Sequence, residues 1–183
     1  MKTWKSLVSW LFLLGGVFLL LEGSSSVYPF LGSPTREVEY VPIDSTETAE
    51  IGSYVFRLTL PRLDTTLSVV EGTTTEALKK GPGHLEGTPW PGGPGNSVIA
   101  GHRDTHFRVL KDVRIGDEVS VERGGRRLVY EVTDVSIVKP EDTSSLRPTS
   151  QGVLTLITCY PFYYFGPAPD RFVVRASAIS EAS

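Results

Sequence analysis

Short β-strand patterns, separated by turn signals, recur from Ile51 onward and limit what this chain can fold into. The runs are rich in β-branched and aromatic residues, as strands are. The predicted strands are Tyr54–Leu60, Leu67–Val70, Ser97–Ala100, Glu118–Val121, Arg127–Val138, Gly152–Cys159 and Asp170–Ala176. Seven or eight strands at this spacing predict a mainly β fold, a small barrel.

The connections between these runs carry their own signals. Arg123-Gly-Gly-Arg126 separates two alternating runs and predicts a tight hairpin. Thr73–Lys80 and Thr105–Lys111 predict short helices in the connections of the barrel.

Composition narrows the class of protein. The chain has 183 residues, 40% of them hydrophobic, which is enough for one domain with a proper core plus accessory segments. Its formal net charge is −3, so the chain lacks the excess of positive charge typical of nucleic-acid-binding proteins, and nucleic acid is not an expected partner. A single cysteine excludes an internal disulfide framework.

The first residues predict a membrane anchor. Lys2 and Lys5 precede an apolar run that ends at Leu21, and the stretch from Trp4 is near the lower end of the roughly 17–25 residues that a spanning helix needs. With no further Lys or Arg before Arg36, the amino end should remain cytoplasmic. A cleaved signal peptide is the alternative, but a small-x-small cleavage site is lacking after Leu21.

The predicted organisation therefore has three parts. Residues 1–21 form the anchor, residues 22–49 a flexible extracytoplasmic linker, and residues 50–183 the folded domain. The linker is rich in Ser, Thr, Pro and Gly and would reach about 30 Å on average as a coil. A part of it, such as Val38–Val41, could instead pack on the domain.

Cys159 lies at the end of a predicted strand, and Pro161 terminates that strand. Arg171 begins the next strand, so pairing of the two strands would place a cation beside the thiol. An isolated cysteine is usually a small buried hydrophobe with an ordinary thiol. Here Thr158 adds a neighbouring hydroxyl, and Tyr160 opens a loop rich in Gly, Pro and aromatic residues that suits a pocket wall.

His102 is the candidate partner of the thiol, because it follows the short apolar run Ser97–Ala100. A thiol is mostly protonated at neutral pH, so a nearby imidazolium or guanidinium is needed to raise the thiolate fraction. His102 could act as the base or as the acid that protonates a departing amine. Arg171 stays protonated and cannot be a base, so its expected task is to stabilise a developing oxyanion.

These residues resemble the signature of sortases, the membrane-anchored cysteine transpeptidases of bacterial surfaces. The resemblance covers about residues 50–180 and starts from Thr155-Leu-Ile-Thr-Cys159, the upstream Gly101-His102 and Arg171. Further motifs resemble the class D branch: Gly81-Pro-Gly-His84, Gly95-Asn96, Ala100-Gly-His-Arg-Asp-Thr105, Thr158-Cys-Tyr-Pro-Phe162 and Gly166-Pro-Ala-Pro169.

The resemblance implies an eight-stranded sortase-like β-barrel with His102, Cys159 and Arg171 as catalytic residues. It implies attack of Cys159 on the Thr carbonyl of an LPXTG-like sorting signal, a thioester acyl-enzyme, and its resolution by an amine. The implied partners are surface proteins with a C-terminal sorting signal and an amine acceptor, a cell-wall precursor or a pilin lysine. The implied location is the bacterial cell membrane, and no cofactor is expected.

Several candidates stay open at this point. Thr158, Tyr160 and His84 are candidate substrate contacts, with a structural role as the alternative for His84. Asp104 could orient His102, but the favoured interpretation is that it caps the short helix starting near Thr105.

The remaining charged residues are less specific. Arg175 is interpreted as structural, and His106 as an exposed or half-packed helix residue. No histidine or cysteine pair has a structural-zinc spacing, and calcium is left as a weak possibility. Besides a transpeptidase, a cysteine hydrolase with the same nucleophile and a membrane-tethered binding module without catalysis are the alternative functions.

Overall fold

A computed structural model describes residues 49–182 of the chain. Short helices lie in the connections between strands: α1 (Thr75–Lys80) and 3-10 helices at Pro61–Leu63, His106–Asp112 and Ser144–Leu146. The strands are β1 (Tyr54–Leu60), β2 (Thr65–Glu71), β3 (Gly83–His84), β4 (Gly95–Gly101), β5 (Glu118–Arg123), β6 (Arg126–Val138), β7 (Gly152–Tyr160) and β8 (Asp170–Ala182).

The eight strands close into a barrel in the order β1-β2-β3-β4-β7-β8-β6-β5. β2 and β3 are parallel, as are β4 and β7, and the remaining neighbours are antiparallel. β7 is therefore paired on one side with β4 and on the other with β8. This places the ends of three strands that are distant in sequence next to one another.

One cluster of buried apolar side chains holds the barrel together. It draws on seven of the strands and on the 3-10 helix His106–Asp112, which contributes Phe107 and Leu110. Leu58, Val121 and Leu156 are among its members. Each fully buried side chain of this size stabilises the fold by about 1.5–3 kcal/mol. Because Phe107 and Leu110 are in this cluster, the segment after β4 is fixed against the barrel.

An ion pair secures the turn that precedes β5. The carboxylate of Asp117 accepts hydrogen bonds from Arg62 Nε at 2.5 Å and Nη2 at 2.7 Å, and from the backbone N–H of Arg114 at 2.8 Å. The Arg62 bonds hold the pKa of Asp117 below its usual range, against the opposing effect of burial, and the Arg114 N–H lowers it further. Asp117 is thus a carboxylate that the fold stabilises in its ionised form.

The predicted strands are confirmed, with ends that differ by a few residues, and the Arg123–Arg126 hairpin joins β5 to β6. β3 was not predicted, because its two residues are too few for a pattern. Thr105–Lys111 corresponds to a 3-10 helix, and the predicted Asp104 cap is wrong. The residue at the N-cap position is Thr105, and no side chain makes a capping hydrogen bond there.

The predicted anchor, residues 1–21, and nearly all of the predicted linker, residues 22–49, lie outside the described residues. Within residues 49–182, no helix has the length and apolar character needed to cross a membrane.

Candidate active site

Cys159 and Arg171 lie directly opposite each other on β7 and β8. Opposed residues of an antiparallel pair point to the same face of the sheet, with Cβ atoms about 4.5–5.5 Å apart. Cys159 is half-buried and is not in a disulfide. The predicted pairing of the two strands is therefore confirmed, and Arg171 shares a face of the sheet with the only cysteine of the chain.

The guanidinium group of Arg171 is held by backbone carbonyls. Its Nη1 donates to the carbonyl oxygens of Asp170 at 3.0 Å and Ala168 at 3.4 Å. A guanidinium has five N–H donors, and within residues 49–182 these two hydrogen bonds engage Nη1 alone. Nε and Nη2 can therefore donate to a substrate oxygen.

His102 lies next to Cys159 at the end of the other neighbour of β7, strand β4. β4 and β7 are parallel from Gly95 opposite Gly152 to Gly101 opposite Thr158. His102 and Cys159 each follow the last pair of this ladder, and adjacent strands are about 4.8 Å apart. His102 is exposed, so solvent and a substrate can reach it. The three predicted catalytic residues thus occupy neighbouring positions at one edge of β4, β7 and β8.

The end of β4 is fixed by two contacts of Gly101. Its carbonyl accepts a hydrogen bond of 2.6 Å from the hydroxyl of Thr158, which is buried. A methyl group at position 101 would lie 2.7 Å from the ring of Phe107, so only glycine fits here. The Phe107 N–H also donates to the His102 carbonyl at 3.0 Å. Strand pairing and core packing together set the position of His102.

A buried polar network supports β4 and β7 further from the site. The Thr155 hydroxyl donates to Asn96 Oδ1 at 2.6 Å, and Asn96 Nδ2 donates to the carbonyls of Ser145 at 2.8 Å and Arg147 at 3.2 Å. All the polar atoms of the Asn96 amide are used, as burial requires. The network joins two barrel strands to the segment that precedes β7.

Tyr160 belongs to an aromatic cluster at the end of β7. Its ring is nearly parallel to that of Phe172, 6.1 Å away, and meets the edge of Phe162 at 6.0 Å. The peptide bond between Tyr160 and Pro161 is cis. Tyr160 is half-buried and its ring packs against the barrel core, on the face of β7 opposite to that of Cys159, because successive side chains of a strand alternate.

The loop between β7 and β8, residues 161–169, is held by two arginines that sequence reasoning did not select. Arg103 Nη2 donates to the carbonyls of Tyr164 at 2.9 Å and Gly166 at 3.1 Å. Arg108 lies over the ring of Tyr163, 5.1 Å from its centroid. A hydrogen bond from Arg108 lowers the pKa of Tyr163. Arg103 directly follows Gly101-His102, and this position was the feature of the sequence that could have indicated a role near the site.

His84 is a core residue of β3. It is 2% exposed, and its Nδ1 lies 3.0 Å from Glu71 Oε2. Nε2 lies 3.1 Å from the Thr88 hydroxyl, and the ring stacks on Trp90 at 4.7 Å. Both ring nitrogens have partners inside the protein, which favours the structural alternative stated for this residue.

Asp104 and His106, the other two residues considered near the site, lie at or near the surface. Asp104 is exposed, and His106 is half-buried at the first residue of the 3-10 helix, as expected for a half-packed residue. Within residues 49–182, no three His, Cys, Asp or Glu side chains form a group that could hold a metal ion.

The barrel and the Cys, His and Arg residues at three adjacent strand ends define a known class of protein. A family model of the sortase domain matches residues 58–179. Sortase D of Bacillus subtilis (strain 168) is 35% identical over 124 residues, which are 67% of this chain and 63% of that protein. The match therefore spans less than two thirds of that relative.

Solved structures agree with this assignment. The Sortase D5 transpeptidase of Clostridium perfringens has a TM-score of 0.66 at 28% identity, over 73% of this chain and 83% of that one. Sortase A of Corynebacterium diphtheriae has a TM-score of 0.66 at 35% identity, over 72% and 63%. Sortase C-1 of Actinomyces oris has a TM-score of 0.64 at 37% identity, over 69% and 75%. The chain belongs to the sortase family.

Proposed function

We propose that this protein is a cysteine transpeptidase that joins surface proteins with a C-terminal sorting signal to an amine acceptor. The observation that carries the proposal is the strand register: Cys159 opposite Arg171, and His102 one position beyond the β4–β7 ladder. Such an arrangement can activate a thiol, protonate a leaving group and stabilise an oxyanion at one point.

The first half of the reaction would proceed as follows. The Cys159 thiolate attacks the Thr carbonyl of an LPXTG-like signal, and a carbon–sulfur bond forms. Nε or Nη2 of Arg171 donates to the carbonyl oxygen as it becomes negative, a contribution typically worth about 3–4 kcal/mol per donor. The scissile C–N bond breaks as His102 gives a proton to the departing amine. A thioester on Cys159 remains.

The second half would reverse these roles. The acceptor amine, from a cell-wall precursor or a pilin lysine, loses a proton to His102 and attacks the thioester. The new amide forms as the carbon–sulfur bond breaks, and the Cys159 thiolate is regenerated. No cofactor takes part in either half.

Tyr160 is proposed to contact the substrate at the end of β7, because it directly follows Cys159 and is only half-buried. Thr158 is proposed to contact the substrate through its backbone, since its hydroxyl is bound to Gly101. His84, which sequence reasoning kept as a weaker substrate candidate, is assigned a structural role because it is buried and bonded on both nitrogens.

The proposed setting is the bacterial cell membrane. Residues 1–21 would anchor the chain with its amino end in the cytoplasm, and residues 22–49 would tether an extracytoplasmic catalytic domain. A protease-protection assay on membranes with the full chain tests this. External protease should degrade the domain in intact spheroplasts, and a domain that stays protected would contradict the topology.

The reaction is tested by product analysis with the full chain in detergent micelles. The protein is incubated with a panel of peptides that carry different sorting signals, with and without an amine acceptor, and the products are identified by mass spectrometry. An amide-linked product that needs both Cys159 and the amine supports transpeptidation. Free carboxylate as the sole product, even with excess amine, would instead support the cysteine hydrolase. No turnover at all would support the binding module.

A further inference from the structure

The loop 161–169 joins the two strands that carry Cys159 and Arg171, yet it buries little of its own surface. Tyr163 is 70% exposed and Phe165 is fully exposed. Apolar packing holds only the start of the loop, where the rings of Phe162 and Phe172 are 5.1 Å apart. Residues 163–167 are exposed, so their position depends on specific contacts with the rest of the domain.

Arg103 supplies a double contact of this kind. Its Nη2 bonds to the Tyr164 carbonyl at 2.9 Å and to the Gly166 carbonyl at 3.1 Å. Its guanidinium also lies over the Tyr164 ring, 5.7 Å from the centroid. Hydrogen bonds from a charged donor are stronger than those between neutral groups, and the cation–π contact adds a further attraction to the same segment.

The same stretch of loop also holds Arg171. Arg171 Nη1 bonds to the Ala168 carbonyl, two residues after the Gly166 carbonyl that Arg103 binds. Gly166 has φ of +97°, a conformation that suits glycine and fixes the direction of the chain at that point. A continuous path of contacts therefore leads from Arg103 through Gly166 and Ala168 to Arg171.

Arg103 is also the residue that follows His102 in the chain. It lies on the β4 side of the site, whereas the carbonyls that it binds lie on the β7–β8 side. Its contacts join the strand end that carries His102 to the loop that sets the position of Arg171.

We propose that Arg103 is a positioning residue that clamps the loop 161–169 and so holds the Arg171 guanidinium in place for the reaction at Cys159. The proposal rests on the proposed role of Arg171 as an oxyanion donor. Arg103 itself contacts neither the reacting atoms nor the substrate in this assignment. Its effect on the rate passes through Arg171.

A double-mutant cycle separates this role from a merely structural one. Arg103→Ala, Arg171→Ala and the double variant are compared with the wild type in steady-state transpeptidation by the full chain. Arg103→Ala should lower kcat by about tenfold or more with little change in KM, because misplacement of a reacting group affects the chemical step. In the Arg171→Ala background, the same substitution should change kcat by less than about twofold.

If the reductions in kcat of the two single variants simply multiplied in the double variant, the proposal would be overturned. Full activity of Arg103→Ala would overturn it too. Arg103→Lys keeps the charge but loses the planar group that lies over Tyr164, and an intermediate kcat is expected for it. Arg147→Ala is the matched control and should behave like the wild type, because Arg147 is exposed and, among the described residues, its side chain makes no hydrogen bond to the loop 161–169.

Hydrogen–deuterium exchange distinguishes failure of this proposal from failure of the proposed function. In Arg103→Ala, peptides covering 161–169 should exchange faster than in the wild type, while peptides of β4 and β7 should exchange at the wild-type rate. In the Arg147→Ala control, all of these peptides should exchange at the wild-type rate. Unchanged exchange in the loop would overturn the clamp even if the enzyme were slower. If Arg171→Ala had full activity, the oxyanion assignment would fail instead, and the proposal that depends on it would fail too.

Discussion

Replacement of Gly101 by alanine should displace the end of β4, because the structure has no room for a methyl group there. A Cβ atom at this position would lie 2.7 Å from both Cγ and Cδ2 of Phe107. Carbon atoms in favourable contact are about 3.5–4.0 Å apart, so ring and strand must separate by roughly 1 Å. Phe107 is fully buried and cannot turn into solvent.

The expected cost in stability is that of an overpacked core. Such insertions usually lower the free energy of unfolding by about 1–3 kcal/mol, which corresponds to a fall of several degrees in Tm. The cost in activity should be larger. His102 is the next residue, and a misplacement of about 1 Å at a catalytic group can reduce the rate by about 10²-fold.

The assay measures kcat/KM with a sorting peptide and an amine acceptor, together with Tm by calorimetry. Gly93→Ala is the matched control, because a Cβ at Gly93 has no neighbour within 4 Å. The double variant Gly101→Ala/Phe107→Leu should recover part of the lost activity, since the smaller side chain gives the methyl group room. If Gly101→Ala matched Gly93→Ala in both Tm and kcat/KM, the packing argument would be refuted.

Thr158→Val leaves the Gly101 carbonyl without its donor, so the free energy of unfolding should fall by about 1–3 kcal/mol in denaturant titration; an unchanged value would contradict the hydrogen bond. His84→Ala should lower Tm but leave kcat/KM of the folded enzyme nearly unchanged, whereas a selective loss of activity would restore His84 to the substrate site. The lowered pKa of Asp117 stabilises the fold at pH above the usual carboxyl range, and this stabilisation is lost as pH falls through the lowered value. Asp117→Asn should therefore reduce Tm near neutral pH and converge with the wild type in acid, and a pH-independent difference would be evidence against the Arg62 pair.

The sequence was sufficient for most of the barrel, because its strands are long enough to show β-branched, alternating patterns. β3 has two residues and is held by partners on both sides, Val70 and Glu71 on β2 and Ile99 and Ala100 on β4. Such a strand is defined by its neighbours, and no local pattern could predict it. The assignment of Asp104 as a cap failed for a related reason, since a 3-10 helix starts after Thr105 without a side-chain cap.

The pairing of Cys159 with Arg171 in the candidate site could be predicted from the sequence. Cys159 and Arg171 flank a loop between adjacent strands, so antiparallel pairing was a reasonable inference from their order. The parallel pairing of β4 with β7 was not inferable from local sequence, because those strands are separated by two others in the chain. The place of His102 after the apolar run Ser97–Ala100 made it a candidate, and the resemblance to sortases supported it before the register explained its position.

The supporting contacts were out of reach of sequence reasoning. The Thr158 hydroxyl was expected near the substrate, and its bond to Gly101 depends on the β4–β7 register. Arg103 has no sequence feature that sets it apart from other charged residues. Its proposed role depends on the position of the loop 161–169, whose Tyr164 carbonyl it binds. These contacts arise from tertiary structure and leave no periodic signal.

The proposed reaction centre is tested most directly by the mass of the intact enzyme during turnover of a sorting peptide without an amine acceptor. We expect a thioester adduct on Cys159 that carries the amino-terminal part of the peptide and that disappears when the amine is added. The adduct should be absent in Cys159→Ala and strongly reduced in His102→Ala. Turnover that continues in Cys159→Ala, or an adduct on another residue, would contradict the central claim that these three strand ends form the reaction centre.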